Sequence, residues 1–238
     1  MIQARRKAEA IVVGRKKTSG KKQLSKYYTK LDKKMKSSSQ AYLKRQAKDI
    51  YVQMAQQQGF RSRAAYKLIQ LNDKHQLLKK GMTIVDLGAA PGSWLEVVDK
   101  ELGNHCTLIA TDKIEIEPME NALFVQGDFT TEETFNEVMS HCKKGGVDLV
   151  MSDLAPETTG HRETDHIRSM MLANIAIDFA LKALKPKGNF ICKFFQGGEE
   201  QDMRRHLRQH FDKVHFSKPE SSRRESKEMF IIGLGFKG

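Results

Sequence analysis

Residues 83–94 read TIVDLGAAPGSW, and this run limits the fold more tightly than any other part of the chain. Thr83 to Leu87 is short, apolar and β-branched, the pattern of a strand buried on both faces of a parallel sheet. It passes at once through Gly88-Ala89-Ala90-Pro91-Gly92 into a helix-compatible run that begins at Ser93. A strand that turns through glycines into a helix brings its backbone close to a ligand at the carboxyl edge of the sheet. The glycines flank Ala-Ala-Pro, which is not the GxGxxG spacing that cradles a dinucleotide pyrophosphate. Pro91 also removes an N–H that a phosphate would use.

Two acids extend the pattern. Residues 107–111 form a second strand signal, and Asp112 stands just beyond it, where a Rossmann-like site holds ribose hydroxyls. Residues 122–126 form a third, followed by Asp128 and Phe129, suited to an adenine amino group and an apolar wall. Solvated acids are common at strand ends. These two follow that loop at successive strand ends, and together they outline an adenosyl pocket.

The charge is concentrated at one end. Residues 1–48 hold sixteen Lys/Arg against Glu9 and Asp32, a net of +14, whereas the whole 238-residue chain carries +12. Residues 1–37 are lysine-rich and poor in apolar side chains, so they are expected to form a basic arm that is disordered when free. Such an arm suits counterion release from nucleic acid; a solubilising tail is the plainer alternative. With 39% hydrophobic residues, the rest can build one core, and residues 38–238 are expected to form a single catalytic domain. No apolar run approaches the ~18 residues that span a bilayer. Cys106, Cys142 and Cys192 show no disulfide or zinc spacing, which fits a cytoplasmic protein.

From Ser38 onward, Leu43, Ala47, Ile50 and Met54 recur at helical spacing, and a second helix begins near Arg61 with Ala64, Ala65, Leu68 and Leu71 turned inward. Further strands are expected at 147–152, 189–195, 212–217 and 229–235, and helices at 93–101, 131–142, 167–184 and 199–210. This alternation predicts an α/β fold: a mostly parallel, doubly wound, seven-stranded sheet whose last strand is antiparallel.

The active site of such a sheet lies beyond the carboxyl ends of its strands. Strand four ends in Asp153-Leu-Ala-Pro156, and strand five carries Lys193 inside an otherwise apolar run. A lysine there is costly unless paired or facing a pocket, and Asp153 on the neighbouring strand is its natural partner. The glycine loop resembles motif I of methyltransferases that bind S-adenosylmethionine, and for such an enzyme Asp-Leu-Ala-Pro lacks the adjacent prolines and aromatic residue that amino-methylating members use. Methylation at a pyrimidine carbon needs a cysteine nucleophile, but Cys192 alternates with Lys193 and so faces the opposite side of the sheet. An oxygen acceptor served by lysine and carboxylate remains. A ribose 2′-hydroxyl is such a group, needing alignment and a route for its proton.

Five segments, in order, carry a resemblance: Ser62-Arg-Ala-Ala-Tyr-Lys67-Leu, Asp86-Leu-Gly-Ala-Ala-Pro-Gly92-Ser-Trp94, Met151-Ser-Asp153-Leu-Ala-Pro, Lys193-Phe-Phe-Gln-Gly, and residues 218–228. Over about 38–238 they resemble the FtsJ/RrmJ family of ribosomal RNA 2′-O-methyltransferases. The resemblance implies a Rossmann-like class I fold that uses S-adenosylmethionine. It also implies a Lys-Asp-Lys-Glu tetrad serving the ribose hydroxyl, here Lys67, Asp153, Lys193 and Glu228, with Lys193 central. Gly88, Gly92, Trp94, Asp112 and Asp128 match cofactor-binding positions, with Asp153 at the methyl end. The implied substrate is a uridine in the A loop of 23S rRNA on the large ribosomal subunit, methylated by a monomer without metal or membrane. A 2′-O-methyltransferase for tRNA or an mRNA cap, or a non-catalytic ribosome-assembly factor, would share parts of this pattern.

The chain also departs from that family. Ala65 stands where bacterial members often carry tryptophan and Phe230 where tyrosine is usual, changes that matter for affinity if those positions touch RNA. Ser221, Ser222, Arg223 and Arg224 are expected in a hairpin loop whose donors suit phosphate, and Glu228 in its mobile end. His161, Glu163, Asp165 and His166 fit no metal pattern and are expected in a solvated loop.

Overall fold

A computed structural model describes residues 49–157, 159–198, 200–223 and 225–238. The basic arm, the start of the first expected helix and Arg224 lie outside the described residues. The described chain runs α1 (Ile50–Gln58), α2 (Ala65–His75), β1 (Thr83–Leu87), α3 (Ser93–Leu102), β2 (Thr107–Asp112), β3 (Ala122–Gln126) and α4 (Glu132–Ser140). It continues through β4 (Val147–Ser152), α5 (Arg162–Ala183), β5 (Leu184–Phe195), α6 (Glu200–His210), β6 (Phe211–Ser217) and β7 (Glu228–Phe236).

The seven strands form one sheet in the order β3-β2-β1-β4-β5-β7-β6. The first five in that row are parallel, and β7 inserts antiparallel between β5 and β6. The order reverses at β1 and β4, so the crevice beyond their carboxyl ends is the topological switch point. Every residue of β1 is buried, as its unbroken apolar run requires. One core lies between the sheet and α4, α5 and α6, built around Val138, Ala173, Phe179, Leu207, Phe190 and Phe194. A second lies on the opposite face under α2 and α3, built around Leu68, Leu71, Leu95, Val98, Ile84 and Ile191. Leu68 is fully buried, and truncating such a side chain to alanine costs about 2–5 kcal/mol.

Several elements differ from their expected bounds for local reasons. Strand β5 begins at Leu184, five residues early, because its pairing with β4 shifts register between Val147 and Leu149 and absorbs the Pro186–Gly188 turn. Helix α2 begins at Ala65 rather than Arg61; three i→i+3 bonds, from Ala65, Tyr66 and Lys67 back to Ser62, Arg63 and Ala64, form a tight lead-in. Helix α5 begins at Arg162, so the His161–His166 cluster is a helix start and not a loop. Asp165 in its first turn accepts from Thr159 N at 2.7 Å and Gly160 N at 3.2 Å, fixing the preceding turn. His166 is buried and its Nδ1 meets Phe195 O at 2.7 Å. Among the described residues no three or more His, Cys, Asp or Glu side chains converge as a metal site, and no helix is long and apolar enough to cross a membrane.

Candidate active site

The glycine loop is held mainly by backbone. Gly88 N and Ala89 N both donate to Thr111 O, at 2.8 and 3.1 Å, and Ala90 N donates to Asp112 Oδ2 at 2.9 Å. Gly88 has φ +70° and Gly92, the residue capping α3, has φ +99°, a region that disfavours side chains. Each is also crowded: a Cβ on Gly88 would run into Leu154, and one on Gly92 into the Arg61 guanidinium. Arg61 clamps this turn, donating to Pro91 O at 2.8 Å and Glu117 O at 2.9 Å while pairing with Glu96 at 3.4 Å.

Three acids stand around the loop. Asp112 also accepts from Ile114 N at 2.9 Å, so its carboxylate is oriented by backbone on both oxygens. Asp128, at the end of β3, pairs with Lys113 at 2.7 Å and accepts from Thr130 N; the Lys113 contact leads in holding its pKa below the ordinary carboxylate value. Phe129 packs toward Phe179 in the core, with ring centroids 6.4 Å apart. Asp86 is the acid that the motif reading passed over. It is 2% exposed, its Oδ2 has no hydrogen-bond partner, and burial, then Asp153 and Asp112, raise its pKa well above the ordinary value. An orphaned buried carboxylate beside a glycine cradle fits a polar, cationic ligand group at this crevice. Its signal lay within the motif, as an acid inside a strand buried throughout.

Trp94, expected at a cofactor-binding position, follows the loop directly in α3. Its ring is 3% exposed, donates Nε1–H to Ala64 O at 3.1 Å and lies 5.8 Å from the Phe230 ring. The indole is therefore a strut beneath the site and offers the loop only its backbone. Ala65 and Phe230 are likewise fully buried, so neither side chain is open at the surface. The expected phosphate role of two loop serines is also corrected: Ser221 is fully buried, and Ser222, 6% exposed, turns its hydroxyl inward to Glu228 Oε1 at 2.7 Å. Glu228 is the first residue of β7, not part of a mobile loop end.

Beyond the carboxyl ends of β4 and β5, four charged side chains meet. Lys67 Nζ reaches Glu228 Oε2 at 2.7 Å and both oxygens of Asp153 at 3.2 Å. Lys193 Nζ lies 2.9 Å from Asp153 Oδ1, donates to Asp153 O, and stands 3.9 Å from Glu228 Oε2. The pairing of Lys193 with Asp153 across adjacent strands is as the sequence predicts. Burial is the largest influence on Lys67 and pulls its pKa down, but Asp153 and Glu228 together outweigh it and hold the pKa above the ordinary lysine value. Burial likewise pushes Asp153 up, and the two lysines more than reverse it, leaving the carboxyl below its usual range. The array thus brings two lysines and two carboxylates together in a largely buried site, with Lys67 and Asp153 each held in the charged form by its neighbours. Phe230 floors it, its ring 5.8 Å from Lys67 Nζ. Cys192 points into the opposite core, where burial first of all lifts its thiol to about 12, so it is no nucleophile.

The chain that carries this glycine cradle and buried Lys–Asp–Lys–Glu array is similar to known proteins. The model of FtsJ-like methyltransferases matches residues 60–236. The chain belongs to the FtsJ-like methyltransferase family. It is 46% identical over 201 residues to the ribosomal RNA large subunit methyltransferase E of a Psychrobacter species, covering 84% of this chain and 96% of that one. It is 43% identical over 220 residues to the protein of that name from Acidiphilium cryptum, covering 92% and 96%. Among solved structures, a Plasmodium falciparum protein described as a ribosomal RNA methyltransferase superposes with a TM-score of 0.69 at 30% identity, covering 75% of this chain and 100% of that one. An FtsJ-like methyltransferase transfers a methyl group.

Proposed function

We propose that this chain transfers a methyl group from S-adenosylmethionine to the ribose 2′-hydroxyl of a uridine in the A loop of 23S rRNA, on the large ribosomal subunit. The observation that carries this reading is the buried Lys67–Asp153–Lys193–Glu228 array beside a glycine loop unsuited to pyrophosphate. The relatives' names support a ribosomal RNA substrate.

When bound, S-adenosylmethionine supplies an electrophilic methyl on a sulfonium. The chain's own residues divide the remaining work. Gly88 and Gly92 admit the donor close to backbone, Asp112 suits its ribose, Asp128 its base edge, and Asp86 its cationic end. Asp153 stands between the loop and both lysines. Lys67 is locked as a cation by two carboxylates, so it orients and does not take a proton. Lys193 Nζ carries three hydrogens and spends two on Asp153, leaving one direction for the acceptor oxygen. That contact fixes the hydroxyl in line, which supplies much of the rate enhancement. As the new O–C bond forms and the methyl–sulfur bond breaks, the hydroxyl proton grows acidic and passes to a carboxylate of the array or to water, since neither ammonium can accept it.

The test is methyl transfer from labelled S-adenosylmethionine to unmodified large subunits, small subunits, free ribosomal RNA and tRNA. Label on large subunits, at a 2′-O-methyluridine of the A loop, is expected; label on tRNA alone overturns the substrate. The arm at 1–36 supplies sequence-independent attraction in this reading. Its deletion is expected to weaken large-subunit binding and flatten the salt dependence, with turnover at saturation little changed. Equal salt slopes with and without the arm would remove it from RNA binding.

A further inference from the structure

The array's fourth member, Glu228, is held from a distance, and the residues that hold it share one face of a helix. Arg63, Lys67, Gln70 and Lys74 recur at spacings of four, three and four along the lead-in and body of α2. Arg63 and Gln70 contact the segment that joins β6 to β7, and Lys74 and Lys67 contact the strand residues at its two ends. Arg63 donates to Ser221 O, Gln70 Oε1 accepts from Ser221 N at 2.9 Å, and Lys74 Nζ donates to Ser217 Oγ at 3.2 Å. Lys67 takes Glu228 itself at 2.7 Å. Ser221 is fully buried, so both its backbone polar groups depend on side chains of this stripe. One residue on, Ser222 Oγ donates to Glu228 Oε1 at 2.7 Å, and Ser226 Oγ accepts from Glu228 N at 3.1 Å.

Resting on the methyl-transfer reading, we infer that Gln70 is a positioning residue for that reaction, acting on Glu228 through Ser221 and Ser222. Gln70 reaches neither lysine nor carboxylate of the array. Its other bond donates Nε2–H to Tyr51 Oη at 3.3 Å. An amide suits this place because one group must accept a backbone N–H and donate to a hydroxyl at once. Without that acceptor, Ser221 N–H is buried and unmatched, and the segment opens to water to satisfy it. Ser222 then leaves Glu228, and Lys67 keeps one of its two counter-charges. The donor crevice, built from β1, β2 and β3, is untouched by this chain of events.

The test uses the full chain with Gln70→Leu, which removes the acceptor, and Gln70→Glu, which keeps it. Gln70→Leu is expected to lower turnover about tenfold, the scale of one lost buried hydrogen bond, with S-adenosylmethionine affinity unchanged. Gln70→Glu is expected to restore most of it, with Tyr51 Oη donating to the second carboxylate oxygen. In a Glu228→Gln background the same Gln70→Leu change is expected to cost almost nothing further, because both act on one group. Amides of residues 218–227 are expected to exchange hydrogen faster in Gln70→Leu and at the original rate in Gln70→Glu. Unchanged exchange in Gln70→Leu, or an equal fold loss in both backgrounds, overturns the inference. Hydrogen exchange needs no substrate, so it still decides the case if the unaltered protein methylates none of the RNAs offered and the functional reading itself fails.

Discussion

The glycine-loop side of the crevice and the lysine–carboxylate side are built by different means. Around the loop, the key contacts are made by main-chain N–H groups to the end of the adjacent strand: Gly88 and Ala89 donate to Thr111 O and Ala90 to the Asp112 carboxylate. On the other side, four side chains meet whose outermost members, Lys67 and Glu228, are 161 positions apart. The first side is a matter of shape and fails by collision. The second is a matter of charge balance and fails when one partner is left alone in a buried place.

The largest expected effect separates the two sides outright. Lys193→Met should reduce methyl transfer by about 10²–10⁴-fold and leave S-adenosylmethionine affinity where it was. Single-turnover transfer and calorimetry on the same preparation check this, and a parallel loss of donor affinity would break the division. Asp153→Ala should cost about 3–5 kcal/mol of stability as well as activity, since two buried ammoniums then face each other without their shared anion. Urea unfolding measures it; an unchanged midpoint would mean the lysines escape to solvent.

Gly88→Ala sharpens the comparison from the loop side. The added carbon meets Leu154 at a positive φ, so donor affinity should fall about tenfold or more. The unfolding midpoint of the array's acid transition should stay put. That transition has a definite sign: Asp153 is held below its ordinary value, so its contribution to stability is present at neutral pH and is lost as acid takes the pH down through the lowered pKa. The smallest effect runs the opposite way. The Asp86 pKa is raised, so the folded state holds that proton more tightly, and stability declines as the pH climbs above 3.8. Asp86→Asn should therefore raise Tm at pH 7, by about 2–4 °C for each ~1 kcal/mol relieved, with the gain shrinking toward pH 4. It should also weaken donor binding. A Tm gain that does not change with pH would place the effect elsewhere.

The same contrast explains what the sequence disclosed. Residues 83–94 announce their strand, turn and helix because the apolar run, the glycines and the helix start follow one another within one short segment. The parallel sheet follows from the same alternation, and the antiparallel β7 from its hairpin with β6. The pairing of Lys193 with Asp153 is legible because an apolar strand carrying one lysine needs a partner on the next strand. Lys67 and Glu228 are a different matter. Neither has a local pattern that marks it, and their meeting depends on how α2 crosses the sheet and where β7 inserts; the family resemblance named them where periodicity did not. The burial of the Trp94 ring was not legible for a related reason: a motif position does not say which way a ring turns. Gln70 gave no signal at all, because an exposed-looking amide at a helical polar position reads as solvent-facing until the β6–β7 segment lies against it.

The placement of β7 between β5 and β6 has a consequence for folding as well as for the site. Strand β5 is enclosed by β4 and β7, with Lys193 directed to the array and Cys192 to the core. A slip of one residue in that pairing would exchange the two, driving an ammonium into packed hydrocarbon and a thiol into the crevice. Misaligned sheets are thereby penalised by the group the reaction most needs. Correct register and an assembled array are selected together, so a molecule that has closed its sheet wrongly loses stability along with the array.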